Sequence, residues 1–274
     1  MKSEQITRKS KSNFRYSFFF LPKEKREAIY ELYAFCRQTD DIADNPGPIE
    51  RRLAILNRWE TELKRCFSQK VGNYFSTVRN VAERFKIPFE YFLELIAGVR
   101  MDLNQIQYHT FEELKLYCYR VASTVGLMSI EIFGYRDPEI RKYAEDLGIA
   151  LQLTNIMRDV GSDARVGRIY LPQNELHRFG VSAAELAEAH YGENFRRLMN
   201  FQSERAHYYY RRANSHLVET ERLNMLVAEI MKNIYFALLQ KIEAKRYAVL
   251  DQTIKLSTPS KFYIALATAS KIRI

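Results

Sequence analysis

The sequence has few residues that break or cross-link a chain. Its 274 residues include only 10 glycines, 7 prolines and 3 cysteines. So few glycines and prolines argue against many short strands joined by tight turns, and favour long helices. The cysteines Cys36, Cys66 and Cys118 stand far apart, without metal-ligand spacing. Neither a disulfide framework nor a zinc site is therefore indicated, and a reducing, cytoplasmic compartment fits best.

Long hydrophobic runs are also missing. The apolar run near the N-terminus, Tyr16 to Leu21, is too short for a signal-peptide core, and no window approaches the roughly 20 apolar residues of a membrane span. Hydrophobic residues still make up 47% of the chain, which is enough for a large buried core. We predict an all-α protein with a single domain over residues 1–274. It is expected to be cytoplasmic, and a peripheral contact with a membrane stays open.

The charge of the chain is unbalanced, with a formal net value of +9 at pH 7. Such a charge fits nucleic acid, an anionic membrane surface or phosphorylated small molecules. The basic residues are scattered singly or in pairs such as Arg51-Arg52 and Arg196-Arg197, and no basic run of five or more occurs. We therefore expect no nucleic-acid partner. The oligomeric state is left undetermined by the sequence.

Apolar periodicity and capping signals divide the chain into helices. The first runs from Lys23 to Ala43 and ends before Asn45-Pro46-Gly47. Thr110 with Glu113, and Ser182 with Glu185, are capping-box candidates. A polar loop is predicted between Gly161 and Gly167. The other helices are predicted at 48–68, 74–85, 88–103, 111–133, 138–159, 194–220 and 223–249, with a short one after residue 182.

Two aspartate pairs are the main candidates for chemistry. Asp40 and Asp44 have i, i+4 spacing and so lie on one face at the end of the first helix. The repulsion between them and the helix macrodipole both disfavour this placement, so a cation is expected nearby. A solvated acidic helix end would explain one such pair alone. Asp159 and Asp163 repeat the spacing at another predicted helix end, which favours a shared site.

The second pair belongs to a longer polar stripe if its helix continues through Gly161. Gln152, Asn155, Asp159 and Asp163 would then share one face of an otherwise apolar helix. Buried polar groups are costly unless they are paired or bind a ligand, so the stripe predicts a site. Oxygen ligands suit Mg²⁺, which binds through a few carboxylates and phosphate oxygens. No histidine stands in a Glu-x-x-His element, which argues against a di-iron bundle.

Other polar side chains near the aspartates could complete such a site. Arginines can bind phosphate oxygens in a bidentate manner, although each alone would equally suit a structural salt bridge. The candidates are Arg37, Arg158, Arg165 and Arg168. Candidate hydroxyl groups are those of Tyr117, Tyr170 and Tyr235, although any one of the 18 tyrosines is more often a core residue.

At these residues the sequence resembles the squalene/phytoene synthase family of head-to-head prenyl transferases. The resemblance covers nearly the whole chain and implies a helical isoprenoid-synthase bundle with a central active-site cavity. It is carried by the segments 13–18 with Leu21-Pro22, 32–37 leading into the first aspartate pair, 117–126, and 152–172.

The resemblance also implies roles for individual residues. Mg²⁺ would be the cofactor and would be held by Asp40, Asp44, Asn155, Asp159 and Asp163. Catalysis would depend on the four aspartates, with Tyr117 or released pyrophosphate as the proton acceptor. Prenyl diphosphate substrates would contact Lys11, Ser12, Asn13, Tyr33, Arg37, Gln152, Arg158, Arg168, Tyr170 and Tyr235.

Within the family, three segments are most similar to bacterial presqualene-diphosphate synthases of hopanoid biosynthesis: 120–122, 130–134 and 255–261. This similarity implies that two farnesyl diphosphates are condensed with release of diphosphate. Alternatives are a phytoene synthase of carotenoid biosynthesis, which uses two geranylgeranyl diphosphates, and a squalene or dehydrosqualene synthase. A helical assembly factor that lost catalysis is the non-enzymatic alternative. Asn13, Ser162 and Ser260 depart from the family pattern.

Overall fold

The fold is all-helical, as predicted. A computed structural model describes residues 15–70, 72, 74–104 and 107–273. In these ranges no strand forms, and the β-type pairing is one isolated parallel bridge between Gln107 and Ile169. The predicted substrate contacts Lys11, Ser12 and Asn13 lie outside the described residues.

The helices follow one another with short connections. A π-helical turn, Tyr119–Ser123, joins the helices Phe111–Cys118 and Thr124–Phe133, and a 3₁₀ turn, Glu219–Glu221, precedes the helix Leu226–Ala244. None of the described helices is both long and apolar enough to cross a bilayer. The helices are α1 (Arg15–Phe18), α2 (Lys23–Asp44), α3 (Ile49–Gln69), α4 (Ser76–Phe85), α5 (Phe89–Asn104), α6 (Phe111–Cys118), α7 (Thr124–Phe133), α8 (Glu139–Arg165), α9 (Gln173–Phe179), α10 (Ala183–Ala187), α11 (Glu193–His216), α12 (Leu226–Ala244) and α13 (Thr258–Arg273).

Helix α8 is the centre of the bundle. It packs against α11, α7, α12 and the π-helical turn, and its buried positions lie on more than one face. A helix that is apolar around most of its circumference is stable only when other helices surround it. The core therefore surrounds α8, and any polar side chain on this helix is held at a defined depth.

The predicted end of this helix near Asp159 is wrong, because α8 continues to Arg165. Gly161 is a helical residue here and does not break the helix. A Cβ atom at this position would overlap the backbone of Leu250, so glycine permits a close approach of the following chain. The continuation places Asp159 and Asp163 on one face, as the polar-stripe hypothesis required.

The predicted helix over residues 111–133 is also interrupted. The π-helical turn Tyr119–Ser123 splits it into α6 and α7. At this turn Gly148 of α8 lies so close that a Cβ atom would come within 2.5 Å of the Ser123 Cα atom. π-helical turns of this kind are often found at functional sites. Here the turn contributes Val121 and Ala122 to the central cavity.

Other boundaries differ more modestly from the prediction. Helix α11 ends at His216 and α12 at Ala244, each before the predicted end. Helices α9 and α13 were not predicted. Helix α13 has apolar residues on its outer as well as its inner face, so it lacks the one-sided stripe by which an amphipathic helix is recognised.

The two predicted capping boxes differ in the structure. At Ser182 both halves form, because its hydroxyl accepts from the Glu185 N–H and its own N–H donates to the Glu185 carboxylate. At Thr110 the hydroxyl accepts from the Glu113 N–H at 3.4 Å, but the Glu113 carboxylate accepts from the His109 N–H at 2.8 Å. The second half of this box is therefore displaced by one residue.

The close packing at Gly161 makes a testable prediction. Gly161→Ala should destabilise the protein by about 1–3 kcal/mol, because the added methyl group overpacks against Leu250. Helix propensity alone would predict a gain of up to about 1 kcal/mol. The measurement is denaturant unfolding. The control Ser68→Ala, at an exposed position of α3, should change stability by no more than about 0.5 kcal/mol. A more stable Gly161→Ala variant would contradict this packing.

Candidate active site

A cavity of about 330 Å³ lies inside the bundle, between α2, α7, α8 and α12. Its charged and amide side chains lie at one end, where Arg37 and Asp40 of α2 face Gln152 and Asn155 of α8. Mainly aliphatic and aromatic side chains line the remainder, and the far end is reached at Tyr143. The cavity can thus take a molecule with a polar head and an apolar tail.

The first aspartate pair stands at the polar end. Asp40 lines the cavity, while Asp44 is more exposed, one turn further along α2. Arg168, from the segment after α8, donates to the Asp44 Oδ1 atom at 3.3 Å and to the carbonyl oxygen of Ala43 at 3.3 Å. Arg37 pairs with the neighbouring Asp41. The cation expected beside this pair is therefore an arginine contributed by the second motif.

The second pair is placed by the end of α8. Arg158 holds Asp159 through two hydrogen bonds, one of them from Nε to Oδ1 at 2.8 Å. After the helix, Gly167 adopts a φ of +79°, which favours glycine, and reverses the chain. The Arg168 N–H then bonds the carbonyl oxygen of Asp163 at 2.9 Å. This turn brings Arg168 back toward both aspartate pairs.

Asp102, at the end of α5, links the two pairs. Its carboxylate accepts from the Tyr170 hydroxyl at 2.8 Å and from the Tyr117 hydroxyl at 3.1 Å. Its charge raises the pKa of both Asp40 and Asp163. Asp102 is not among the site residues predicted from the sequence. The sequence does contain a signal for this residue. An aspartate near a predicted helix C-terminus is unfavourable there, as it is in each of the two aspartate pairs.

The carboxylates at this end carry more negative charge than the nearby arginines balance. Burial and then the neighbouring carboxylates raise the pKa of Asp40 to about 8, although Arg37 opposes the shift. Burial and the Asp159 charge raise the pKa of Asp163 to about 7. Burial raises the pKa of Asp102 to about 6, against the two tyrosine hydrogen bonds. Additional positive charge at this end would stabilise all three carboxylates.

The oxygen atoms here fit a divalent cation that a bound ligand helps to coordinate. Asn155 donates to Gln152 at 3.3 Å, but its own side-chain oxygen is buried without a hydrogen-bond partner. Among the described residues, no three Asp, Glu, His or Cys side chains converge closely enough to hold a metal by themselves. Mg²⁺ commonly binds one or two carboxylates and takes its other ligands from water and phosphate, so these residues suit it.

Comparison with known proteins identifies the family. The sequence model of squalene/phytoene synthases matches residues 7–260. This chain belongs to the squalene/phytoene synthase family. The phytoene synthase of Arthrospira platensis is 36% identical over 271 residues, which cover 94% of this chain and 88% of that protein. The 15-cis-phytoene synthase of Synechococcus elongatus is 40% identical over 222 residues, which cover 76% of this chain and 72% of that protein.

Solved structures of the same family share the fold. A dehydrosqualene synthase crystallised with a ligand superposes with a TM-score of 0.86 and 30% identity, covering 99% of this chain and 95% of that one. A squalene synthase from Alicyclobacillus acidocaldarius gives a TM-score of 0.80 and 29% identity, with 89% and 93% covered. The helical isoprenoid-synthase bundle predicted from the sequence is therefore confirmed.

The remaining predicted site residues of this squalene/phytoene synthase lie in three different places. Tyr33 and Tyr235 line the cavity together with Gln152. Tyr117 and Tyr170 instead stack on each other beside Asp102, with ring centroids 5.2 Å apart. Arg165 lies outside both places. Its guanidinium group donates to the carbonyl oxygen of Leu250 and so holds the chain that packs on α8.

The raised pKa of Asp40 predicts a pH dependence of stability. The folded protein keeps this proton up to about pH 8, whereas an unfolded carboxyl releases it near pH 3.9. Between about pH 4 and pH 8 the folded state binds more protons than the unfolded state. The free energy of unfolding of the metal-free protein should therefore fall as pH rises through this interval. Asp40→Asn lacks this titration, so its stability should rise relative to wild type over the same interval.

Denaturant unfolding in EDTA from pH 5 to pH 9 measures this difference. The control is Asp41→Asn, because the Asp41 side chain is 46% exposed and paired with Arg37. This control should not gain stability relative to wild type as pH rises. An Asp40→Asn variant whose stability difference from wild type is constant over the whole range would contradict the burial of this carboxyl.

Proposed function

We propose that this chain is a magnesium-dependent, head-to-head prenyl transferase of the phytoene synthase type, joining two geranylgeranyl diphosphates with release of diphosphate. The carrying observation is a cavity with Asp40 and Arg37 at one end, beside Gln152 and Asn155, and mainly apolar walls beyond them. The choice of geranylgeranyl as the prenyl tail is supported by the similar proteins from Arthrospira and Synechococcus, which are both phytoene synthases.

A second candidate is the condensation of two farnesyl diphosphates to presqualene diphosphate. It is favoured by the segments 120–122, 130–134 and 255–261, and by the similarity to a dehydrosqualene synthase and a squalene synthase. Both candidates use the same polar end of the cavity. They differ in the length of the tail and in the fate of the first condensation product.

The proposed metal ligands are Asp40, Asp44, Asn155, Asp159 and Asp163. When bound, Mg²⁺ would neutralise charge on the diphosphate leaving group. Arg168 already contacts Asp44, and Arg158 contacts Asp159, so both guanidinium groups can donate to diphosphate oxygens at the same end. This placement would favour loss of diphosphate and formation of an allylic cation.

The apolar part of the cavity would protect that cation. The walls exclude water, which would otherwise quench it. The rings of Phe18, Tyr33 and Tyr235 line the cavity and can present their electron-rich faces to positive charge. The double bond of the second substrate would then attack the cation, forming the new carbon–carbon bond.

The Tyr117–Asp102 pair is the proposed route for the proton that the product must lose. The Tyr117 hydroxyl donates to Asp102 at 3.1 Å, and Tyr117 lies one helical turn from the cavity residue Val121. The Tyr117 oxygen would accept the substrate proton as its own proton passes to Asp102. The released diphosphate is the alternative acceptor.

The aspartate assignment is tested by substitution and by metal removal. Asp40→Ala and Asp159→Ala should each lower turnover by at least about 100-fold, since each removes a group placed against the leaving-group charge. Turnover should also be lost in EDTA and restored by Mg²⁺. The matched control is Asp41→Ala, which should keep activity within a few-fold of wild type. Full activity in EDTA, or in either site variant, would contradict the assignment.

The substrate is tested with purified protein and single donors. Geranylgeranyl diphosphate or farnesyl diphosphate is supplied with Mg²⁺, with and without NADPH, and the lipid product is identified by mass spectrometry. We expect phytoene from geranylgeranyl diphosphate without any reductant. Turnover of farnesyl diphosphate alone would favour the presqualene candidate. A folded protein that uses neither donor would favour an assembly factor that has lost catalysis.

A further inference from the structure

The end of the cavity opposite the aspartates is closed by packed side chains. Phe133 from the end of α7, Tyr143 from α8 and Val227 from α12 line this floor. Tyr143 is fully buried, with 0% of its surface exposed. It lies on α8 twelve residues before Asn155, which corresponds to about 18 Å along the helix. A tail whose head group sits at the aspartates therefore points toward the Tyr143 ring.

Behind the floor lies a buried ion pair that holds this ring. The Tyr143 hydroxyl donates to the Glu229 Oε1 atom at 2.8 Å. Lys232 binds both oxygens of Glu229 at 2.7 Å each, and it also donates to the Asn214 Oδ1 atom at 2.6 Å. Glu229 and Lys232 are only 5% and 9% exposed. We call Glu229, Lys232 and Asn214 the brace.

Burying the ion pair of the brace costs desolvation free energy, so its contribution to core packing alone does not explain why it is there. An ion pair taken out of water is often no more stabilising than well-packed apolar side chains of the same volume. Here the pair is hydrogen-bonded directly to the floor of the cavity. If the ring of Tyr143 moved aside, Glu229 would lose a hydrogen-bond donor inside the protein, which is unfavourable. The brace therefore keeps the ring in one position.

The brace would also oppose a longer tail by its chemistry. A hydrocarbon chain that passed Tyr143 would meet a carboxylate and an ammonium group, and it would displace their hydrogen bonds. The floor thus combines a fixed aromatic ring with a charged pair behind it. The described side walls include the aliphatic residues Val125, Leu147 and Leu151, which present no charged group to the tail.

We propose that Tyr143, positioned by Glu229 and Lys232, sets the longest prenyl tail that the cavity accepts. Tyr143 is then a specificity-determining residue, and Glu229 and Lys232 are positioning residues. The proposal rests on the proposed prenyl transferase function. It adds to that function the structural element that measures the tail.

The first test uses the unaltered protein. Geranylgeranyl diphosphate and the donor one isoprene unit longer are compared by kcat/KM, with product length read by mass spectrometry. The longer donor should be used at least about tenfold less well. Equal use of the two donors would overturn the proposal. A protein that turns over no allylic diphosphate would instead overturn the proposed function.

Two variants change the floor in opposite directions. Tyr143→Leu removes the ring and should raise the relative kcat/KM for the longer donor by about tenfold. Val227→Phe adds volume to the same floor and leaves the brace intact, so it should lower the use of geranylgeranyl relative to farnesyl diphosphate. A folded Tyr143→Leu protein with the wild-type ratio would contradict the proposal. If Tyr143→Leu fails to fold, an unchanged preference of Val227→Phe between geranylgeranyl and farnesyl diphosphate would likewise contradict the proposal.

The matched control removes a buried tyrosine that does not line the cavity. Tyr210 is 2% exposed, and its hydroxyl lies 3.0 Å from that of Thr154. Tyr210→Leu should lower the melting temperature without altering the ratio between donors. A shift in this control as large as that in Tyr143→Leu would show that general loosening of the core, not the floor, changes tail length.

Discussion

Negative charge gathered at one end of the central cavity is the constraint on which the rest of this structure depends. Asp40, Asp102 and Asp163 come from three different helices, and burial together with mutual repulsion raises the pKa of each. Arg168 is the cation that reaches between the motifs, through its contact with Asp44. Such an arrangement is tolerated when further positive charge is supplied, as the divalent cations that accompany a diphosphate would do.

Helix packing is what keeps these carboxylates together. The π-helical turn and the chain at Leu250 lie against α8 because Gly148 and Gly161 lack side chains there. The same helix runs from Tyr143 at the floor to Asp163 at the acidic end. In the proposed function, the head group would bind at the acidic end and the tail would extend toward Tyr143, so this one helix would set the distance between them.

The sequence predicted the parts of this site that depend on local spacing. Each i, i+4 aspartate pair is a local feature of its own helix, as is the stripe from Gln152, and the helical fold follows from the scarcity of breakers. Asp102 carries a local signal, its place near a helix C-terminus, but its position between the two pairs and the contact of Tyr143 with Glu229 depend on which helices meet, which spacing does not show. Gly161 was interpreted as a helix end because glycine marks both helix ends and close approaches, which only packing distinguishes.

Locating the metal with its ligand is the most direct test of the shared acidic site. Crystals soaked with Mn²⁺ and inorganic diphosphate would be measured at a wavelength where manganese scatters anomalously. We predict anomalous peaks within coordination distance of both Asp40 or Asp44 and Asp159 or Asp163, with the diphosphate between them. Diphosphate bound elsewhere, or manganese confined to one pair with no bridging ligand, would contradict the account.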